Sequence, residues 1–311
     1  MLNKIKAITL GHAIGDALGV PVEFCGRNYL DKNPIRDMIG FGTYNVPAGT
    51  WSDDTSMSLC ALESLAHKRI DYDDIMQNFG KWYYMGEFTA TGKVFDIGNT
   101  CHNAIHNYHN LNCSISNCGE SDVRSNGNGS LMRIYPFVLY GYYNNVNNKD
   151  FIDLITNASS LTHAHKCSID GCIIYSYILK ELIHNPSKTA VYTGLDNAKN
   201  ETSLTTTYYD RLFNDIQNIP KEDIKSGGFV VHSLEAAIWC LLTTDNYKDC
   251  VLKAVNLGGD TDTTAAIAGS LAGVLYGLND IPKEWLNKLK KKEYIDSLCQ
   301  TAYENWRINE I

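Results

Sequence analysis

The chain has 311 residues, 44% of them hydrophobic and 20% charged, so it carries enough apolar side chains to bury a large core. Its formal net charge of -8 provides no basic surface, and we therefore expect neither nucleic acid nor an anionic membrane as a partner. Polar residues such as His12 and Asp16 interrupt the apolar N-terminal segment, which argues against a signal peptide or a membrane span there. The ten cysteines are scattered, as the reduced thiols of a cytoplasmic protein would be.

Apolar residues recur at helical spacing along most of the chain, without the alternation of strands and helices that marks a parallel sheet. The pattern predicts helices over residues 5–20, 55–67, 72–84, 99–108, 151–161, 168–183, 233–243, 247–256, 262–276 and 283–306. Polar segments predict loops at 25–50, 86–98, 110–130 and 185–228. We therefore predict an all-α fold with one many-helix domain over residues 1–311, in which residues 185–228 are the best candidate for a variable insertion.

Two of the predicted helices, over 5–20 and 262–276, carry glycines spaced by four residues, which places the glycines on one helix face. They are Gly11, Gly15 and Gly19 in the first case, and Gly269, Gly273 and Gly277 in the second. A glycine costs a helix up to about 1 kcal/mol relative to alanine, so we expect these faces to pack closely against other helices in the core.

Two pairs of aspartates precede predicted helices that are too apolar for the surface, Asp53 with Asp54 and Asp260 with Asp262. One acid or hydroxyl at a helix start is ordinary N-capping, and this alternative stays open for both pairs. Two carboxylates with flanking hydroxyls exceed what capping needs, because buried charges without compensation are costly. Carboxylate and hydroxyl oxygens suit Mg²⁺, Mn²⁺ or Ca²⁺, so the pairs also predict one divalent-metal site.

Three further segments carry polar groups that could belong to the same site. Pro21 should help to end the first helix and leave Glu23 on a loop, where a solvated acid is the alternative. Asp96 precedes the helix over 99–108 and Asn99 begins it, and either of them could simply cap this helix. The glycine-rich segment 125–130 begins an apolar stretch, and its backbone N–H groups could form an anion-binding nest or an ordinary turn.

Seven segments between residues 15 and 277 resemble, in the same order, those of the ADP-ribosylglycohydrolase family, which includes the dinitrogenase-reductase activating glycohydrolases and the eukaryotic ADP-ribosyl-hydrolases. They are GDALGVPVEF, GTWSDDTSMS, FDIGNT, SNGNGSLMRIYPF, LTHAHKCSIDGC, GGFVVHSLEAAIW and NLGGDTDTTAAIAGSLAGVLYG. The last segment is the most specific, and the match covers nearly the full chain. The resemblance implies an all-α fold with two adjacent Mg²⁺ or Mn²⁺ ions in a cleft.

The resemblance also implies the metal ligands, at six positions that all keep an oxygen donor in this sequence. They are Ser52, Asp53, Asp54, Asp260, Asp262 and Thr263. Asp262 is the expected bridging ligand. Ser52 stands where the family usually has threonine, and because its hydroxyl keeps the donor we expect metal binding to survive.

The remaining site residues are implied by the same resemblance. Glu23 matches a glutamate that gates the cleft in some members, and Asp96 matches an acid near the scissile bond in the dinitrogenase-reductase type. Asp96, Glu23 and Asp54 are thus the candidates for moving protons, with Asp96 favoured for an arginine linkage and Glu23 for a serine linkage. Substrate binding is implied for Asn99, for Gly127, Asn128 and Gly129 at the diphosphate, for His163 near the adenosine ribose, and for Phe229 on adenine, where tyrosine is frequent.

The residues and the resemblance together predict a divalent-metal-dependent hydrolase that removes ADP-ribose from mono-ADP-ribosylated protein side chains, with arginine preferred. Water would attack the anomeric carbon with assistance from the metal. Two alternatives stay open: a hydrolase of serine-linked ADP-ribose or of a small ADP-ribose conjugate, and an ADP-ribose-binding protein without turnover. Oxygen donors at all six ligand positions disfavour the binding protein.

Overall fold

The computed structural model of the chain describes residues 1–67, 70–201 and 207–306. Within these ranges, α-helices are joined by loops and short 3₁₀ turns, and the β structure consists of three isolated bridges. The fifteen helices are α1 (Leu2–Gly19), α2 (Arg27–Lys32), α3 (Asp53–Ala66), α4 (Tyr72–Met85), α5 (Asn99–Leu111), α6 (Tyr135–Tyr143), α7 (Asn148–Ser160), α8 (Lys166–His184), α9 (Lys188–Glu201), α10 (Asp210–Phe213), α11 (Val230–Leu242), α12 (Tyr247–Val255), α13 (Thr261–Tyr276), α14 (Lys283–Lys288) and α15 (Lys292–Trp306). The predicted all-α class is confirmed. None of the helices in these ranges combines the length and the apolar character that a membrane crossing needs.

Helices α1 and α13 run antiparallel with their backbones in direct contact. A methyl group added at Gly15 would overlap the carbonyl group of Ala265, and one added at Gly269 would overlap that of Gly11. Side chains larger than hydrogen would therefore force the two helices apart. The predicted close packing of the glycine faces is confirmed for these positions.

The contact continues to the end of α1, where the hydroxyl of Thr261 donates to the Gly19 carbonyl at 2.8 Å. A methyl group on Gly19 would overlap the backbone of Asp262. A short 3₁₀ turn then leads to Glu23, which consequently lies beside the start of α13. Gly277 departs from the predicted stripe, because it ends α13 with a φ of +87° and has no neighbour that an added methyl group would meet.

The buried carboxylate of Asp16, on α1, fixes the start of α3. The backbone N–H groups of Ser52 and Thr55 donate to it at 2.9 and 3.0 Å, and the Thr55 hydroxyl donates at 2.6 Å. Burial raises the pKa of Asp16 to about 6, although the hydrogen bonds from Thr55 and Ser52 oppose this rise. Helices α3 and α13 are buried nearly all round, as predicted for core helices.

Part of segment 185–228 is helical, so the prediction of a loop over its whole length is wrong. Helix α9 packs against α8, and a methyl group on Gly194 would lie 2.5 Å from the Cα of Ile178. The buried side chains of α9 share one face and are Ala190, Val191, Leu195 and Ala198. This apolar face is narrow, and the polar remainder of the helix gives the segment a loop-like composition. The variable insertion and the single domain stay predictions.

Nine of the ten predicted helices begin and end within three residues of the prediction. The tenth, over 283–306, is divided into α14 and α15, because Lys290 between them donates its N–H to Gly49 at 2.9 Å and accepts from Trp51 Nε1 at 3.0 Å. Helix α6 was not predicted, since it is buried on nearly all sides and shows no amphipathic pattern. The short helix α2 lies within the predicted loop 25–50.

Candidate active site

The starts of α3, α5 and α13, the loop at Glu23 and the glycine-rich segment 125–130 surround one cleft of about 420 Å³. Ten residues singled out in the sequence line it, namely Glu23, Asp53, Asp96, Asn99, Gly127, Asn128, Gly129, His163, Asp260 and Thr263. Asp54 and Asp262 lie behind this wall, where both hydrogen-bond to Thr263, and Ser52 hydrogen-bonds to Asp54. The structure thus brings both aspartate pairs to one place.

Asp54 joins the two helix starts at the floor of the cleft. Its Oδ2 accepts hydrogen bonds from the hydroxyls of Ser52 and Thr263, each at 3.2 Å. Ser52 belongs to the start of α3 and Thr263 to the first turn of α13. One carboxylate therefore fixes the distance between the two acidic segments.

Helix capping does not account for these acids. Ser52 caps α3, whereas Asp260, at the N-cap position of α13, makes no side-chain capping bond. Oxygen atoms of Glu23, Asp260 and Asp262 lie within 4.8 Å of one another. Four buried oxygens have no hydrogen-bond partner among the described residues: Glu23 Oε2, Asp54 Oδ1, Asp260 Oδ1 and Asp262 Oδ2. Such oxygens are costly unless a proton or a cation compensates them, so this donor set fits a divalent cation.

Burial and mutual repulsion favour the protonated form of the cluster in the metal-free protein. Burial is the largest cause that raises the pKa of Asp53, Asp54 and Asp262 well above its usual value, and neighbouring carboxylates add to it. Burial, followed by the charge of Asp96, raises the pKa of Glu23 to about 8. A bound cation would lower the pKa of these carboxyl groups, because it favours their charged form.

Asp96 lies at the rim of the cleft, and Tyr44 lies near both Asp96 and Glu23. Burial raises the pKa of Asp96, and hydrogen bonds with Tyr44 and with the Ile97 backbone oppose this rise. Tyr44 likewise opposes the rise in the pKa of Glu23, and its ring contacts that of Phe95 with centroids 4.9 Å apart. Tyr44 therefore lies near the two acids that the sequence singled out for proton transfer.

Asn128 forms hydrogen bonds with both its backbone and its side chain, whereas the sequence predicted only an anion-binding nest for its loop. Its backbone N–H donates to the Gly228 carbonyl at 3.0 Å, so this amide is already engaged. Its side-chain amide donates to Asp260 Oδ2 at 2.9 Å and to the Ser233 hydroxyl at 2.8 Å. Asn128 thus orients an acid of the cluster, and the amides of the two glycines beside it remain the candidates for binding an anion.

His163 and Asn99 face the cleft, whereas Phe229 lies beside it. A methyl group on Gly129 would lie 2.9 Å from Cε1 of His163, so the imidazole ring rests on this glycine. Asn99 is the exposed first residue of α5. Phe229 precedes α11, is absent from the cavity wall, and contacts the ring of His232 with centroids 5.1 Å apart. Its contact with adenine stays a prediction.

Three polar residues at the site have no role predicted from the sequence. Asp16 belongs to the segment GDALG, which was its only signal, and its role in fixing α3 becomes apparent in three dimensions. Tyr44 is a lone tyrosine in a predicted loop and carries no pattern. Arg124 lines the mouth of the cleft and forms an ion pair with Asp122 at 3.0 Å.

Comparisons with known proteins show which family the chain resembles. The family model described as ADP-ribosylglycohydrolase matches residues 1–310. The ADP-ribosylarginine hydrolase Tri1 of Serratia proteamaculans is 34% identical over 303 residues, which cover 97% of this chain and 79% of that protein. ADP-ribosyl-[dinitrogen reductase] glycohydrolase of Rhodospirillum rubrum is 32% identical over 288 residues, covering 91% of this chain and 89% of that protein.

The fold is shared with a solved structure as well. A chain described as an ADP-ribosylglycohydrolase-related protein complex matches with a TM-score of 0.83 at 29% identity, and the match covers 98% of both chains. The resemblance carried by the seven sequence segments is therefore confirmed, and the chain belongs to the ADP-ribosylglycohydrolase family.

Proposed function

We propose that the protein hydrolyses the bond between ADP-ribose and arginine side chains of mono-ADP-ribosylated proteins, with divalent cations as cofactors. The observation that carries the proposal is the acidic cluster at the floor of the cleft, where four buried carboxylate oxygens lack partners among the described residues. The arginine linkage is supported by the relative from Serratia proteamaculans, which is named an ADP-ribosylarginine hydrolase. An ADP-ribosylated protein is thus the proposed partner.

We propose two Mg²⁺ or Mn²⁺ ions, because the donors consist of carboxylate and hydroxyl oxygens. The residues that would hold them are Ser52, Asp53, Asp54, Asp260, Asp262 and Thr263. When bound, such cations would orient the ribose hydroxyls and lower the pKa of the attacking water. Asn128 supports this site by orienting Asp260, and Asp16 supports it by fixing the start of α3.

The acids at the rim move the protons in the proposed reaction. A water oxygen attacks the anomeric carbon of the ribose, the bond from that carbon to the arginine nitrogen breaks, and the leaving nitrogen takes up a proton. Asp96 is the proposed group that exchanges protons with the water and the leaving guanidine. Glu23 holds a proton at neutral pH in the metal-free protein, since its pKa is raised to about 8.

The test is the release of ADP-ribose from a protein that carries ADP-ribosylated arginine. We expect release with Mg²⁺ or Mn²⁺ and none with EDTA, and Asp260→Asn should lower the rate at least about a hundredfold. Asp74→Asn, an exposed acid in the first turn of α4, is the matched control and should keep the wild-type rate. Metal-independent release, or no release from any linkage, would contradict the proposal.

Two other results would support one of the alternative functions instead. Faster release from serine-linked ADP-ribose or from a small ester such as O-acetyl-ADP-ribose would replace arginine as the substrate linkage. Tight binding of ADP-ribose in calorimetry without hydrolysis of any linkage would support a binding protein.

We also propose that the reaction takes place in the cytoplasm. All ten cysteines are free thiols, eight of them buried, and a reducing compartment maintains such thiols. Fractionation of cells that express a tagged chain would test the compartment.

A further inference from the structure

Arg133 is a buried cation without an acidic partner. Its side chain is fully buried, and no carboxylate of the described residues lies within 4.0 Å of its guanidinium nitrogens. The guanidinium lies 5.0 Å from the ring centroid of Phe79 and donates to the Ala158 carbonyl at 3.1 Å and to Thr162 Oγ1 at 2.8 Å. Burying a charge in this way costs free energy, which the contacts of the guanidinium must offset.

Thr162 connects Arg133 to His163, a residue of the cleft wall. Thr162 Oγ1 lies 2.8 Å from His163 Nδ1. A guanidinium can only donate hydrogen bonds, so the Thr162 oxygen accepts on that side and can donate its own proton to Nδ1. The positive charge behind Thr162 favours the same arrangement, because it attracts the lone pair of Nδ1 and repels an N–H group there.

The surroundings of His163 disfavour the other tautomer, in which Nδ1 carries the proton. If Nδ1 carried the proton, the Thr162 oxygen would accept from both Arg133 and His163. In the described part of the chain, the hydrogen bonds of the Thr162 hydroxyl are those with Arg133 and His163, so its proton would then have no acceptor. The buried environment therefore favours a proton on Nε2.

Nε2 of His163 faces the part of the cleft where a ligand would lie. It is 3.5 Å from the position of a methyl group built on either Gly127 or Gly129, which are the two glycines of the loop. In the part of the chain that the structure describes, the hydrogen bond of this ring is the one that Nδ1 accepts from the Thr162 hydroxyl. Burial, followed by the charge of Arg133, lowers the pKa of His163 to about 3, so the ring stays neutral.

We propose that Arg133 and Thr162 are positioning residues that fix His163 as a neutral Nε2–H donor, aimed at an acceptor oxygen of the ligand in the cleft. The inference rests on the proposed function, since ADP-ribose offers such oxygens in its ribose and diphosphate groups. A neutral donor held in one direction selects for a ligand with an oxygen at that point and adds no charge to the cleft.

The first test reads the tautomer in the ligand-free protein and so does not depend on the proposed function. Nitrogen NMR of the protein labelled with ¹⁵N-histidine at neutral pH should show, for His163, a protonated Nε2 and an unprotonated Nδ1. The His163→Gln variant identifies the signal among the nine histidines. A protonated Nδ1, or a mixture of the two tautomers, would overturn the proposal.

The second test measures ADP-ribose binding by calorimetry in variants of Thr162. Thr162→Val removes the hydroxyl and should weaken binding about tenfold and abolish the single tautomer, whereas Thr162→Ser keeps the hydroxyl and should stay within about twofold of the wild type. Thr244→Val removes another buried hydroxyl, which donates to the Cys240 carbonyl at 2.7 Å, and should keep the affinity.

Unchanged affinity in Thr162→Val, or equal losses in Thr162→Val and Thr162→Ser, would refute the role of the hydroxyl. If Thr162→Val does not fold, the wild-type spectrum and the Thr162→Ser affinity decide the question. A wild-type protein that binds no ADP-ribose but shows the Nε2–H tautomer would contradict the proposed function and leave the positioning of His163 supported.

Discussion

Replacing Asp54 with asparagine should stabilise the metal-free protein and abolish its stabilisation by Mg²⁺ or Mn²⁺. The carbonyl oxygen of asparagine can accept the same hydrogen bonds from Ser52 and Thr263 that Oδ2 accepts in the wild type. Oδ1 is buried without a partner, and an amide nitrogen at that position carries no negative charge next to the neighbouring carboxylates. In the wild type the carboxyl group either stays charged there or takes up a proton at a pH above its usual pKa. Both states cost free energy that asparagine avoids.

The size of the effect follows from burial and chain length. A buried polar atom without a partner costs about 1–3 kcal/mol. For a chain of 311 residues, an unfolding entropy of about 2.1 cal/mol/K per residue converts each kcal/mol into a change in Tm of about 1.5 °C. We therefore expect Asp54→Asn to raise the metal-free Tm by about 2–5 °C. A cation at about a hundred times its Kd should add about 2.7 kcal/mol, or about 4 °C, to the wild type and nothing to the variant.

Thermal unfolding followed by circular dichroism, first in EDTA and then with each cation, measures both effects. The control is Asp74→Asn, which should leave both Tm values within about 1 °C of the wild type, because this acid is exposed. A lower metal-free Tm for Asp54→Asn, or a wild-type Tm that responds to neither cation, would refute the reasoning about the cluster.

Three further predictions follow from other contacts. The pKa of Glu23 rises from 4.5 to about 8 on folding, so the metal-free protein should lose stability as the pH rises through this range. The increase in Tm that a cation produces should therefore become larger from about pH 5 to about pH 8. An increase in Tm that becomes smaller over this range would contradict the prediction. Gly15→Ala should lower the Tm by at least about 2 °C, because its methyl group overlaps the Ala265 carbonyl, whereas Gly26→Ala, with open space around it, should cost at most about 1 kcal/mol in thermal unfolding. Asp96→Asn should slow release from arginine by about 10²–10⁴-fold and more than Glu23→Gln does, measured on a panel of arginine-, serine- and acid-linked ADP-ribose, and the reverse order on arginine would contradict the role of Asp96.

The sequence predicted most of the candidate site because its groups stand at the ends of buried helices. Asp53 and Asp260 are conspicuous there, since the residues that follow them are apolar on every face. The glycines at four-residue spacing predicted the close contact of α1 with α13 for a similar reason, because a helix interior otherwise avoids them. Local patterns of this kind are visible without knowledge of the fold.

Other features depend on contacts between distant segments and leave little trace in the sequence. Asp16 and Tyr44 act through partners on other loops, and neither stands in a pattern that sets it apart from a solvated or structural residue. Helix α9 buries only a narrow face against α8, so its polar composition predicted a loop. Helix α6 has the opposite character, since a helix buried on all sides lacks the periodicity by which helices are recognised.

The hydrogen bond from Thr261 to Gly19 joins residues that are 242 positions apart in the chain. During synthesis, α1 and the acids Asp53 and Asp54 leave the ribosome long before the second half of the site exists. Closing so long a loop costs chain entropy, which is offset only when the glycine faces of α1 and α13 meet. The acidic cleft should therefore be among the last parts of the molecule to form, and a cation can be captured only by a chain that has been synthesised beyond α13.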